Sequence, residues 1–250
     1  MSVRESEILF KARSQAKDFS VRISREPFSP QGDVGDLQAS WNALQAASQL
    51  KGAPIWEGTY YRLVSLNGFK TLEKTLELGT IPYSTVRALI ERDKQSPLGF
   101  ENFPLHLNTG ALIRTTDGYY IFGQKGTGPR PNDQRTDIIG GGLQSSERQV
   151  SEGHDLARNL LKEMYEEINI GEEHLATLES LGFVLAGDTM AVVMVFELVL
   201  KLNLQEVQAL FNARVEFEFS DLLAVPEPQL KNFLASLNGY LGILGQLLES

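Results

Sequence analysis

The sequence predicts an α+β fold whose second half carries the chemistry, and three observations lead to that reading. From Asp155 to Ile170 the chain has the periodicity of an amphipathic helix, with Leu156, Leu160, Leu161, Met164 and Ile168 forming one apolar stripe. Within Leu107–Lys125, two β-rich runs flank Asp117-Gly118, a pair favoured in two-residue hairpin turns. Val215-Glu-Phe-Glu-Phe219 alternates with the period of a half-buried strand.

The other elements follow in order. Asp36–Leu50 reads as a helix with Leu37, Trp41, Leu44, Ala47 and Leu50 as its apolar positions. Thr59–Ser65 and Lys70–Leu78 read as strands and Thr85–Asp93 as a helix, before the turn-rich Gln95-Ser-Pro-Leu-Gly-Phe100. No motif in this part carries chemistry by itself. After the hairpin comes a Gly/Pro-rich loop, Gly126–Asp133, and then Thr136–Ile139 leads into Gly140-Gly141-Gly142. Ser180–Leu185 and Ala191–Leu200 read as strands, the second buried on both faces, and Pro226–Leu248 as closing helices. The expected division is an N-terminal α+β region over 1–105 and a second domain over 106–250.

Composition narrows the function classes. The chain has 250 residues, 42% of them hydrophobic and 22% charged, as in an ordinary globular protein of one or two domains. It has no cysteine, which excludes disulfides, thiol nucleophiles and zinc–thiolate sites. It has no long uninterrupted apolar run, and Met1–Ala12 lacks the apolar centre of a signal peptide, so a cytoplasmic location without membrane contact is expected. A formal net charge of −9 argues against a nucleic-acid surface. His106, His154 and His174 show no metal-ligand spacing, and no Gly-x-Ser-x-Gly elbow is present.

The 155–170 helix is the richest segment. It places Glu163, Glu166 and Glu167 within an arc of about 100°, with Glu163 and Glu167 at the edge of the apolar stripe. Like charges that close repel unless a cation joins them, and partly desolvated carboxylates are costly unless paired or metal-bound. The arrangement therefore reads as a site for a hard divalent cation. The competing reading is a solvated acidic face whose glutamates pair with lysines.

The upstream glycines weigh against that second reading. Gly140-Gly141 followed by Lys162-Glu-Met-Tyr-Glu-Glu-Ile-Asn-Ile170 resembles the Nudix box, whose pattern ends Arg-Glu-apolar-any-Glu-Glu-any-Gly-apolar. Three departures stand out. Lys162 replaces the arginine and loses its planar fork. Asn169 replaces the final glycine, and asparagine also tolerates a left-handed helix end. The stretch from Gly141 to Lys162 is longer than the pattern, so Glu147 and Glu152 are both candidates for the box's first glutamate.

The resemblance implies a Nudix-type αβα sandwich with a smaller N-terminal α+β region. It also implies hydrolysis of a pyrophosphate with Mg²⁺ or Mn²⁺ held by Glu163, Glu166, Glu167 and the Gly140 carbonyl. A further acid is expected from Glu216 or Glu218, and Glu163 and Glu218 are the residues assigned to catalysis. Lys125, Arg130 and Arg135 are expected on the substrate phosphates. Arg62, with Tyr60 and Tyr61, would meet a uridine or sugar, although aromatic residues on a strand are also ordinary core. The N-terminal half resembles the UDP-glucose and UDP-galactose branch of that superfamily. The shared elements are a Trp-containing helix before Ala53-Pro54, Arg62-Leu63, Leu78-Gly79-Thr80 with Tyr83, and Pro97-Leu98-Gly99. The expected partner is a small-molecule nucleotide, with oligomeric state open. The alternative is a Nudix-fold binding or regulatory module without turnover.

Overall fold

The computed structural model describes residues 4–31, 33–50, 55, 57–66, 74–125, 135–147, 149–215 and 218–249. A mixed eight-stranded sheet organises the chain, in the order β1-β9-β10-β5-β6-β11 with β8 paired to β5 and β7 to β6. Its strands are β1 (Glu7–Ser14), β5 (Leu107–Arg114), β6 (Tyr119–Lys125), β7 (Arg135–Asp137), β8 (Ile139–Gly142), β9 (Leu175–Ala186), β10 (Ala191–Leu200) and β11 (Phe219–Pro226). β5 and β10 run parallel in the middle, with Val192 opposite Leu107 and Val199 opposite Arg114. Among the described residues no helix is long and apolar enough to cross a membrane.

The pleat of β10 shows why the fold has three layers. Val192, Met194, Phe196 and Leu198 point into one core with α3 (His154–Ile168) and α4 (Leu204–Asn212). Ala191, Val193 and Val195 point into the other, against α5 (Leu230–Ala235) and the 3-10 segment Gly239–Leu248. A strand buried on both faces has no polar side to alternate with, which gives the continuous apolar run seen in its sequence. The αβα arrangement expected for 106–250 is therefore present.

A second sheet of three strands, in the order β2-β4-β3, comes from β2 (Ser20–Ile23), β3 (Thr59–Leu63) and β4 (Thr75–Pro82). It docks on the large sheet through the backbone: Tyr61 N–H donates to Leu143 O at 2.8 Å, Ser145 N–H to Thr59 O at 2.7 Å, and Leu63 N–H to Leu105 O at 3.0 Å. α1 (Leu37–Leu50) and α2 (Tyr83–Gln95) pack on each other, with Trp41 edge-on to Tyr83 at 6.1 Å. β1 crosses the expected boundary near residue 105 by pairing with β9 at the edge of the large sheet.

Several local expectations change. The hairpin turn is longer than two residues: Gly118 alone of the Asp117-Gly118 pair has positive φ, 81°, and Thr115 N–H donates to Tyr119 O across the turn. A two-residue turn of either mirror-image type needs positive φ at its first central residue, which Asp117 lacks, so the Asp-Gly pair marks the hairpin but not its turn type. The strand expected over Val215–Phe219 begins only at Phe219, while Glu216 and Phe217 lie outside the described residues. Of the strand expected over Lys70–Leu78, residues 70–73 lie outside them too, and β4 runs on to Pro82. β1, β2 and α4 add to the expected elements; β1 and β2 are fixed by pairing with β9 and β4, and α4 by the Asn203–Glu206 capping box and its apolar Leu204, Val207, Leu210 and Phe211.

Candidate active site

The site is built where α3 crosses the glycine strand β8. On α3, Asp155, Asn159, Glu163 and Glu167 recur every four residues and make a polar row beside the buried Leu156, Leu160, Met164 and Ile168. Asp155, in the first turn, ties the preceding loop to the helix by accepting from the N–H groups of Ser151 at 2.9 Å and Glu152 at 3.1 Å. Asn159 donates to Thr109 Oγ1 at 2.9 Å, fixing the helix on β5. Asn169 ends the helix in the left-handed region with φ 58° and ψ 35°, as its substitution for glycine led us to expect.

The glycines let this row approach the strand. Gly140 has φ 146°, and a Cβ there would collide with Thr109 O of the neighbouring strand. Its N–H donates to Glu167 Oε2 at 3.1 Å. A Cβ on Gly141 would lie 2.5 Å from Glu163 Oε2, so the Glu163 carboxylate rests directly on the strand backbone.

The three glutamates of the acidic arc occupy different environments. Glu167 is 2% exposed, and its Oε1 is buried without a hydrogen-bond partner. Burial, and then Glu218, push its carboxyl well above the usual carboxylate range, against the Gly140 N–H that favours the charge. Glu163 is raised to about 7, first by burial; Lys162 opposes the rise, while Glu166 and Glu147 add to it. Glu166 faces outward and accepts from Lys162 Nζ at 2.9 Å. The same ammonium lies 2.9 Å from Glu147 and 3.5 Å from Glu163. Glu147 therefore joins the cluster, whereas Glu152 pairs with His154 at 3.0 Å.

A polar cavity of about 510 Å³ opens along the glycine strand. Glu163, Asp137, Lys125 and Glu218 form one end of it, and Tyr60, Tyr83, Arg87 and His106 the other. Lys125 Nζ lies 2.9 Å from Glu218 and 3.5 Å from Asp137. Burial acts to lower its pKa, but Asp137 and Glu218 outweigh that and leave it raised. Asp137 accepts from the Tyr240 hydroxyl at 2.6 Å, which ties the C-terminal layer to the site. Glu218 is half exposed, at 48%.

Not every expected residue arrives. Arg62 is turned away from this cavity and is only 6% exposed. Its guanidinium donates to Glu26 O at 3.2 Å and Leu63 O at 3.4 Å and lies 5.2 Å from the Phe28 ring centre. It lines a separate cavity beside Phe28 and Phe103, so it is not placed to touch a ligand at the glycine strand. Tyr61 is core, and its hydroxyl accepts from Val150 N–H at 3.1 Å. Arg130 and Glu216 lie outside the described residues. The backbone of Arg135 pairs with Lys125 across β7 and β6. Asp137, Asn108, Thr109, Asn159 and Arg87 were missed; the Asp at the end of a short strand just before the glycines was the one available signal.

The donor set suits a hard cation: carboxylate oxygens, one of them buried and unpartnered, packed on glycine backbone. Among the described residues, no three carboxylate or imidazole groups converge to enclose an ion. The Lys162 ammonium accounts for part of the spread, because it draws Glu147 and Glu166 toward itself.

No protein-family description matches the chain, and no curated protein does. Solved structures give remote likenesses. Tm1382, a proposed Nudix hydrolase, aligns with a TM-score of 0.42 at 14% identity, covering 82% of this chain and 94% of its own. A bifunctional NMN adenylyltransferase/ADP ribose pyrophosphatase from Francisella tularensis, complexed with AMP and a Mn ion, gives 0.37 at 17% identity, covering 64% of this chain and 45% of its own. A Nudix hydrolase from Nitrosomonas europaea gives 0.34 at 13%, covering 57% and 85%.

Proposed function

We propose that this protein hydrolyses the pyrophosphate of a nucleoside diphosphate joined to another group, with UDP-glucose or UDP-galactose yielding UMP and a sugar 1-phosphate. The observation that carries the reading is the seating of a half-buried Glu163 and a buried Glu167 on the glycine strand, both raised, beside a polar cavity that Lys125 lines. Carboxylates are kept in such an environment at a cost, and a bound cation removes that cost.

Glu163, Glu166 and Glu167, with the Gly140 carbonyl, would hold Mg²⁺ or Mn²⁺, which acidifies a water and neutralises phosphate oxygens when bound. The residues of the chain supply the rest. Gly140 N–H and the helix packing fix Glu167. Glu163, at the mouth of the cavity beside the metal, would take the proton from an attacking water. Lys125 exchanges Glu218 and Asp137 for a phosphate oxygen, and Glu218, released and half exposed, becomes a second proton acceptor. Arg130 and Arg135, in and beside the Gly/Pro-rich loop, are placed by sequence to add phosphate contacts.

A non-catalytic binding module is the second reading, and Lys162 is the observation that favours it. An internal ammonium already balances Glu147, Glu163 and Glu166 without a metal. Product release from UDP-glucose, UDP-galactose, ADP-ribose and coenzyme A, with Mg²⁺ and beside Glu167→Gln, separates the two. Metal-dependent UMP from UDP-hexoses, lost in the variant, supports the hydrolase. Turnover on another substrate alone discards the UDP-sugar assignment. Binding of the panel without turnover on any of it supports the module.

A further inference from the structure

Lys125 is balanced by two carboxylates that differ in what can replace it. Its Nζ lies 2.9 Å from Glu218 and 3.5 Å from Asp137. Glu218 is half exposed, so water can take over when the ammonium moves away. Asp137 is buried at the end of β7, between Lys125 and the C-terminal layer. A buried carboxylate that loses its cation is left uncompensated, a far larger penalty than an exposed one meets. Any phosphate that draws Lys125 off Asp137 works against that penalty.

Two donors on Asp137 are independent of Lys125. The Tyr240 hydroxyl donates to Oδ1 at 2.6 Å, and the Ile138 N–H donates to the same oxygen at 3.1 Å. Lys125 approaches the other oxygen, Oδ2, so the tyrosine bond need not break when the ammonium leaves. An O–H to carboxylate bond of this length belongs to the strong, charge-assisted kind. Tyr240 is fixed by the segment that carries it. Leu241, Leu244 and Leu247 of Gly239–Leu248 are buried in the second core, and the Tyr240 ring packs against that core.

We propose that Tyr240 is a positioning residue for phosphate binding, compensating the charge of Asp137 while Lys125 is on the ligand. The proposal rests on the hydrolase reading for the role of Lys125 and adds a residue that the reading does not use. Without the hydroxyl, Asp137 keeps a stronger hold on the ammonium, and an incoming phosphate must break a less compensated buried ion pair. The exchange is complete once the phosphate is bound, so the effect falls on binding and not on the chemical step. Asparagine at 137 has no charge to leave behind, which makes the contribution of Tyr240 conditional on the aspartate.

The test is a double-mutant cycle on the full chain with Mg²⁺, using Tyr240→Phe, Asp137→Asn and the two together. Calorimetric binding of inorganic pyrophosphate is measured beside kcat and KM on UDP-glucose. Tyr240→Phe should weaken pyrophosphate binding and raise KM by about tenfold, with kcat within about twofold. In the Asp137→Asn background the same change should cost less than about twofold. Asp137→Asn alone should bind pyrophosphate at least as tightly as wild type, a readout that does not depend on how well Tyr240→Phe folds. Equal losses in both backgrounds would put the hydroxyl on the ligand itself and overturn the proposal. A fall in kcat with unchanged KM and binding would overturn it too, as would a wild type that binds no pyrophosphate. The binding cycle holding without any UDP-hexose turnover would overturn the hydrolase reading and leave the role of Tyr240 standing.

Discussion

Glu166 and Glu167 are adjacent on one helix, yet the fold gives them opposite surroundings. Glu166 lies at the solvent side of α3 and shares the Lys162 ammonium with Glu147. Glu167 is buried against Gly140, with one oxygen held by a backbone N–H and the other unpartnered. A rotation of about 100° along the helix separates a solvated ion pair from a strained carboxylate. The pair teaches where function is stored: an exposed ion pair is worth little either way, and a buried unpaired charge persists only where something else is gained.

The largest expected effect breaks that symmetry directly. Glu167→Gln should lower metal-dependent turnover by about 10²–10³-fold, and Glu166→Gln by about tenfold. Steady-state rates on UDP-glucose check this, and equal losses would mean the two carboxylates act as one unit. The stability effects run the other way. Glu167 has a folded pKa raised above its unfolded value, so its contribution is present at low pH and is lost as pH rises through the folded value. With metal chelated at pH 8, Glu167→Gln should therefore unfold later than wild type, by about 1 kcal/mol or more, while Glu166→Gln stays within about 0.5 kcal/mol. Denaturant melts in EDTA measure the difference.

Next in size is the strand that receives Glu167. Gly140→Ala places a Cβ against Thr109 O at a φ that side chains rarely adopt, and should cost about 3 kcal/mol or more. Gly141→Ala meets only the end of the Glu163 side chain. It should fold with a loss of about 1 kcal/mol or less and show its effect in turnover instead. A Gly141→Ala protein as unstable as Gly140→Ala would show that the strand, and not the carboxylate, needs the second glycine.

How far this was legible in the sequence depends on the range of the cause. The apolar stripe, the acidic arc and the Asn169 terminus are written within single helical turns of α3, and they appear in the structure as read. Glu147 could not be told from Glu152, because the choice is made by which one reaches Lys162 after the intervening chain folds back. Arg87 and His106 gave no signal, since α2 and β5 are brought together only when the three-stranded sheet docks on Leu143 and Leu105. Asp137 stood three positions before the glycines, but its value depends on Tyr240, over a hundred positions away.

His106 and Glu163 extend the comparison to pH. Burial keeps the His106 imidazole neutral down to about 4, whereas the unfolded side chain protonates near 6.5. As pH falls the unfolded state binds its proton first, so this group costs stability progressively between about 6.5 and 4 and no further below that. The full span is about 3 kcal/mol. Glu163, raised to about 7, works in the opposite direction over the window between 4.5 and about 7. The informative quantity is therefore the difference between wild type and His106→Gln, measured by urea melts from pH 7 to 4. It should shrink steadily with acid in favour of the variant, and a difference that does not change with pH would place a proton on His106 in the folded state.

The smallest expected effect on activity concerns two cations that the sequence made alike. Lys125 and Arg62 were both expected to meet substrate, and only Lys125 lines the cavity that Glu163 shares. Arg62 instead closes the three-stranded sheet, its guanidinium packed near Gly79 and bonded to the carbonyls of Glu26 and Leu63. Lys125→Met should raise KM for the UDP-hexose by about tenfold, the loss of one charge-assisted phosphate contact. Arg62→Met should leave KM within about twofold and register as lost stability, about 1–3 kcal/mol, because the two backbone acceptors lose their donor inside the fold. Parallel KM and melting measurements on both variants decide the matter. If Arg62→Met raised KM with its melting unchanged, the guanidinium would have to leave those carbonyls when substrate binds, and the two cavities would belong to one site.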